Sequence, residues 1–233
     1  MDGISCKQCC QCGGVFGGAL SIFRSLGCKL RAVYDRRMAT VFTDVTGFIL
    51  AGGKSTRMGA DKAFVMLEGR TLLARMLELA QSVCADVMIV GNRAKFAAFA
   101  PVVEDIFPGC GPLAGIHAAL RSSQTDLNLM LGVDMPFVSV ALLEFLIARG
   151  REPRATVTLP RTGDGFQPLC AIYRRAFADS VETALRAGRY KIDALFEKMQ
   201  TQVIEEEELR AAGFSPELFR NLNAPQDLGD LRG

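Results

Sequence analysis

The chain has 233 residues, 49% of them hydrophobic, and a formal net charge of +2 from 27 basic and 25 acidic side chains. That length and apolar content suffice for one large α/β domain, or two small ones, with no need of disulfides or metal to hold a core. The near balance of charge weighs against nucleic acid as a partner, the single histidine, His117, excludes His-rich zinc sites and two-histidine metalloprotease motifs, and no apolar run reaches membrane-spanning length.

Residues 1–44 differ in character from the rest of the chain. They hold Cys6, Cys9, Cys10, Cys12 and Cys28, two Gly-Gly pairs, and a basic run from Arg31 to Arg37. Neither a helix nor a strand period is visible. Three readings stay open: a segment added by an upstream start with Met38 as the true one, a disordered extension, or a zinc knuckle through Cys6-x-x-Cys9 with Cys10 and Cys12. The second cysteine pair usual for such a knuckle is missing. The apolar stretch Gly13–Phe23 has only Lys7 as a positive flank, and Arg24 interrupts it before Cys28, so a signal peptide is not expected. With Cys84, Cys110 and Cys170 scattered, the chain reads as cytoplasmic.

From Val45 the pattern alternates. Val45–Leu50 reads as a buried strand, and Thr71–Val83 as a helix apolar at Leu72, Leu73, Met76, Leu77 and Ala80. A strand is expected over Asp86–Val90, a short helix over Lys95–Ala100, a strand over Pro101–Glu104, and a helix over 112–122. Leu127–Val133 is a strong buried strand ending at Asp134. Helix 140–149, strands Thr156–Leu159 and Leu169–Tyr173, helices near 175–187 and 191–199, and a late strand Thr201–Glu205 complete the series. This order predicts a Rossmann-like, mostly parallel sheet with helices on both faces, forming a single domain over 45–233.

The chemistry concentrates in Leu50-Ala51-Gly52-Gly53-Lys54-Ser55-Thr56-Arg57-Met58-Gly59-Ala60-Asp61-Lys62. Glycines leaving a strand let backbone N–H groups approach phosphate oxygens, and Lys54, Arg57 and Lys62 add positive charge. A P-loop needs glycine five positions before Gly53-Lys54-Ser55, where Phe48 stands, and Gly-x-Gly-x-x-Gly is absent. Asp134, at the carboxyl end of the most apolar strand in Gly132-Val133-Asp134-Met135-Pro136, stands where open α/β sheets bind ligands. A carboxylate there suits Mg²⁺, with an N-cap or turn aspartate as the alternative. Glu104-Asp105 ends another strand, and Gly111-Pro112-Leu113-Ala114-Gly115 opens a helix with free N–H groups. Asn221-Leu222-Asn223 could meet the acceptor or metal-bound water, or form an Asx turn. Asn92 could reach the base or acceptor, or lie in a solvated loop. His117 reads as a packed helix residue.

Leu50 through Lys62 resembles the loop of nucleotidyltransferases, and most closely that of the molybdenum cofactor guanylyltransferases: Leu-Ala-Gly-Gly-x-x-x-Arg-Met-Gly, then Asp-Lys. The resemblance spans about residues 45–230 and is strongest over 47–62 and 105–136. It implies a fold of the nucleotide-diphospho-sugar transferase type and a nucleotide site of Leu50, Ala51, Gly52, Gly53, Lys62, Asp105 and Asp134. It implies Lys62, Arg57 and Asp134 as catalytic residues and Asp134 as the Mg²⁺ ligand, with Lys54, Asn92 and Asn223 as further candidates. It also implies GMP transfer from GTP to molybdenum-molybdopterin with release of pyrophosphate, and protein partners that deliver the cofactor or mature molybdoenzymes. Gly52-Gly53 favours guanine; related cytidylyltransferases usually carry Ala-Ala-Gly. Cytidylyl transfer to the same cofactor, sugar-1-phosphate nucleotidyl transfer, and a nucleotide-binding regulatory protein are the competing readings.

Overall fold

In the computed structural model, residues 40–52, 61–152, 155–197 and 199–222 are described. They belong to the unit Ala39–Gly233. The cysteine-rich segment and the candidate start at Met38 therefore lie outside the described residues.

The first strand, β1 (Phe42–Leu50), starts three residues earlier than its hydrophobic pattern indicates. Thr43 and Asp44 are exposed and carry no apolar signal, yet Phe42 pairs with Cys84. Beyond residues 53–60, a 3-10 turn (Lys62–Phe64) leads into a hairpin of β2 (Met66–Leu67) and β3 (Arg70–Thr71). Its turn places Glu68 and Gly69 at φ 50° and 79°. Strands of two residues are too short to show an alternating pattern, so the sequence did not announce them. Helix α1 (Leu72–Gln81) buries the five apolar residues expected of it, and Thr71 caps it by accepting the Ala74 N–H. Next come β4 (Cys84–Val90), α2 (Arg93–Phe96), β5 (Val102–Val103), α3 (Pro112–Ser122), β6 (Leu127–Gly132) and α4 (Val140–Gly150). The later part holds β7 (Val157–Thr162), β8 (Gly165–Phe166), β9 (Cys170–Arg174), α5 (Phe177–Arg186), α6 (Asp193–Phe196), β10 (Thr201–Ile204), α7 (Glu206–Ala211) and a 3-10 turn (Pro216–Phe219).

The sheet runs β10-β7-β9-β6-β1-β4-β5, with β8 paired to β7. Strand β1 pairs in parallel with β4 and β6, β4 with β5, and β7 with β10. Strand β9 is inverted, antiparallel to both β6 and β7. The mostly parallel sheet is therefore as expected, apart from β9 and the two-residue β8, which is antiparallel to β7; hydrophobic pattern cannot distinguish strand direction. Alternate residues of the buried strands enter two cores. Val45, Ile49, Leu129 and Leu131 pack against α1 and α4, while Phe48, Met130 and Tyr173 pack against α3 and α5. Helices thus cover both faces, which explains why strand β6 is buried at all six residues.

Register decides where the site falls. Leu50 lies opposite Val90 on one side and Gly132 on the other, and Val90 lies opposite Val103. The carboxyl ends of four parallel strands are therefore level. The chain leaves β1 first toward β4 and β5, then returns to β6 on the other flank, which makes this edge a topological switch point.

Candidate active site

Each strand of that level edge releases one of the expected residues. Leu50 is buried, Ala51 donates its N–H to Val90 O at 3.0 Å, and exposed Gly52 begins the loop. Strand β4 gives way to Gly91-Asn92, β5 to Glu104-Asp105, and β6 to Val133-Asp134. Val133 N–H donates to Leu50 O at 3.2 Å, which ties the exit of β6 to that of β1.

Lys62 and Asp134 meet across this edge. Lys62 Nζ donates to Asp134 Oδ2 at 3.0 Å, and both side chains are about one-fifth exposed. Two local features set the pair. Asp61 accepts the Ala63 N–H at 3.2 Å and caps the 3-10 turn that carries Lys62. On the other side Gly132 leaves room for the carboxylate: a Cβ there would stand 3.0 Å from Asp134 Oδ1. The backbone carbonyl of Asp134 also accepts the Leu222 N–H at 2.9 Å, which brings Asn221 to the edge of the site.

Asp105 lies beside the first turns of α3, where Gly115 permits close approach of Leu50 and the Asp105 carboxylate stands at ordinary contact distance. Its pKa is raised because burial penalises the charged form. Asn92 uses its side-chain oxygen to cap α2, accepting the Lys95 N–H at 3.2 Å. That carbonyl is committed to the fold, and the amide NH₂ is the part of Asn92 left for a ligand. Gly53, Lys54, Arg57 and Asn223 lie outside the described residues.

A cleft of 560 Å³ opens beside Asp134, lined by Asp164, Phe166, Gln167, Arg220 and Asn221 among others. The sequence pointed to Asn221; Asp164 and Arg220 carried no signal, being charged residues in segments without a period. Lys95 was also missed. It pairs with Asp61 at 2.9 Å, and Phe64 stacks on Phe96 at 5.9 Å, so the turn bearing Lys62 is anchored on α2.

The Asp134 carboxylate suits Mg²⁺ as a hard oxygen donor at a strand end, held back over a residue that lacks a Cβ. Among the described residues, no group of three His, Cys, Asp or Glu side chains gathers to form an all-protein metal cage.

The sheet that carries this lysine–carboxylate pair at its switch point has the fold of a nucleotidyltransferase, and comparisons with known proteins give the same class. A MobA-like NTP transferase domain matches residues 47–203. The molybdenum cofactor guanylyltransferase of Desulfosudis oleivorans is 37% identical over 79% of this chain and 92% of its own length. Among solved structures, the molybdopterin-guanine dinucleotide biosynthesis protein A of Archaeoglobus fulgidus is similar with a TM-score of 0.69, at 31% identity, over 79% of this chain and 95% of that one. The 4-diphosphocytidyl-2C-methyl-D-erythritol synthase of Anaerococcus prevotii shares the fold, with a TM-score of 0.59 at 14% identity over 82% and 97% of the two chains. The chain belongs to the molybdenum cofactor guanylyltransferase family. No helix among the described residues is long and apolar enough to cross a membrane.

Proposed function

We propose that this chain transfers GMP from GTP to the terminal phosphate of molybdenum-molybdopterin, forming the guanine dinucleotide and releasing pyrophosphate. The observation that carries this reading is the contact of Lys62 with Asp134 at 3.0 Å, on the level edge where β1 releases Gly52. A nucleotidyl transfer needs that combination of cation, carboxylate and loop backbone at one point.

The acceptor phosphate is already anionic near neutral pH, so it attacks without a strong general base. A bond forms from an acceptor oxygen to the α-phosphorus of GTP as the bond from that phosphorus to the β-phosphate bridging oxygen breaks, and the electron pair leaves with pyrophosphate. Catalysis is then positioning and charge neutralisation. Lys62 holds the triphosphate and balances charge that grows on the leaving oxygens. Arg57 and Lys54 assist from the loop, and backbone N–H groups at Gly52 and Gly53 admit phosphate and base edge. Asp134 is the residue that would hold Mg²⁺, with Asp105 on the nucleotide side. Bound there, Mg²⁺ would neutralise and orient the phosphates. The cleft lined by Phe166, Gln167, Arg220 and Asn221 gives the acceptor an approach to Asp134.

Turnover of GTP, CTP and UTP with molybdenum-molybdopterin as acceptor tests the proposal. GTP is expected to be preferred, with guanine dinucleotide and pyrophosphate formed in equal amounts. A preference for CTP, or transfer to a sugar phosphate alone, would replace it. With that acceptor, the proposed reaction would follow molybdenum insertion and precede delivery to a molybdoenzyme.

A further inference from the structure

We propose that His117 is a positioning residue: it joins a charged cluster on α5 to the ring of Phe107, and through Phe107 it sets the loop that presents Asp105 to the nucleotide. The inference rests on Asp105 as a nucleotide-side residue.

His117 is 1% exposed, and GMP transfer makes no use of it. A buried imidazole is costly unless its nitrogens find partners. Nε2 lies 3.3 Å from Glu182 Oε2 and 3.4 Å from Arg121 Nε, while Nδ1 has no partner among the described residues. With the proton on Nε2, donating to Glu182, a lone pair is unmatched at Nδ1 and the Arg121 Nε–H at 3.4 Å loses Nε2 as its acceptor. The other tautomer would strand a buried N–H.

Glu182 is the hub. Its Oε1 accepts from Arg186 Nε at 2.9 Å and Nη2 at 2.6 Å, and its Oε2 accepts from Arg121 Nη2 at 2.6 Å. Asp179 holds Arg121 from a second side at 2.8 Å. Arg186 foremost, then Arg121 and His117, hold the Glu182 carboxyl down at about 2. Exposed ion pairs of this kind add little stability. What they do fix is side-chain direction, and two members of the cluster point at one ring. The His117 ring meets Phe107 edge-on, with centroids 5.2 Å apart and planes at 67°. The Arg186 guanidinium lies 5.7 Å from the centre of the same ring. Phe107 follows Asp105 by two residues, and the Asp105 carboxylate approaches α3 at Gly115, next but one to His117. The loop between β5 and α3 is thus gripped behind the residue it presents.

The test is GTP binding by calorimetry with Mg²⁺, together with steady-state kinetics, on the full chain and on His117→Phe, Phe107→Ala, Arg186→Ala and the His117→Phe/Phe107→Ala double variant. His117→Phe and Phe107→Ala are each expected to raise Kd and KM for GTP about tenfold, the effect of one charge-assisted hydrogen bond or its equivalent in lost order. Arg186→Ala should raise them about threefold, as for a modest cation–π contact. The kcat at saturating GTP should stay within about twofold of wild type, since no reacting atom is touched. The double variant should bind no more weakly than Phe107→Ala, because His117 acts through that ring. Unchanged GTP affinity in the folded variants, or full additivity in the double, overturns the proposal. Arg186 is 68% exposed, so Arg186→Ala and Phe107→Ala carry the test where His117→Phe does not fold; wild-type affinity in both overturns it. If the wild type binds a nucleoside triphosphate other than GTP, the guanylyl reading fails, and the same cycle with that nucleotide still decides the role of His117.

Discussion

Lys62 and Asp134 stand 72 residues apart in the chain and 3.0 Å apart in the fold. Lys62→Ala and Asp134→Ala are each expected to lower GMP transfer about 100- to 1000-fold or more, with circular dichroism and melting little changed. Near-normal turnover in either folded variant would remove that residue from the mechanism. Asp105 makes a different prediction, because partial desolvation by the surrounding loop and α3 favours its protonated form. The folded chain then keeps that proton to higher pH than the unfolded chain, so stability falls as pH rises from the ordinary carboxylate range through the raised value. Asp105→Asn removes this cost. Its melting temperature should exceed wild type above that window and converge with it below, while GTP affinity falls. A melting difference independent of pH would show that burial of the charge is not what the substitution relieves.

At the scale of elements, the end of β6 is the demanding position. A Cβ on Gly132 would stand 3.0 Å from Asp134 Oδ1 and 3.4 Å from both Leu169 Cβ and Met135 Cγ. Gly132→Ala is therefore expected to shift the carboxylate by a few tenths of an ångström and to lower kcat about tenfold, a fraction of the loss that a full 1 Å misplacement brings. Steady-state kinetics beside a thermal melt separates this from loss of fold; a folded variant with normal kcat would show that the carboxylate tolerates another setting. Much of this level was legible in the sequence. The five buried residues of α1 follow from their spacing, and Gly111-Pro112 announces the start of α3. The inversion of β9 was not legible, because a buried strand has the same composition in either direction. Helix α6 ends at Phe196, short of the expected 199, since apolar residues over 191–199 belong equally to a helix and to a packed loop.

At the scale of the whole described unit, two cores flank one sheet and leave its carboxyl edge open for the candidate site. Cys84 and Cys170 are sealed in that interior, their thiols pushed up to about 12, chiefly by burial, so they act as packing residues and not as nucleophiles. The family match begins at residue 47. A chain lacking residues 1–37 is expected to fold and to transfer GMP at the wild-type rate, measured with the same acceptor. Loss of activity, or stoichiometric zinc bound by the full chain and not by the shortened one, would instead give that segment a role.

The sequence by itself determined the alternation of strands and helices, the nucleotidyltransferase loop from Leu50 to Lys62, and the carboxylate at Asp134. Those features are local: periodicity, glycine placement and a motif survive without three-dimensional context. Only the tertiary structure decided that Lys62 reaches Asp134, that Asn92 has its carbonyl committed to a helix cap, that Lys95 anchors the turn bearing Lys62, and that His117 faces Glu182 and Phe107. Such contacts depend on strand order and register, which bring distant segments level at one edge, and no spacing along the chain encodes that alignment.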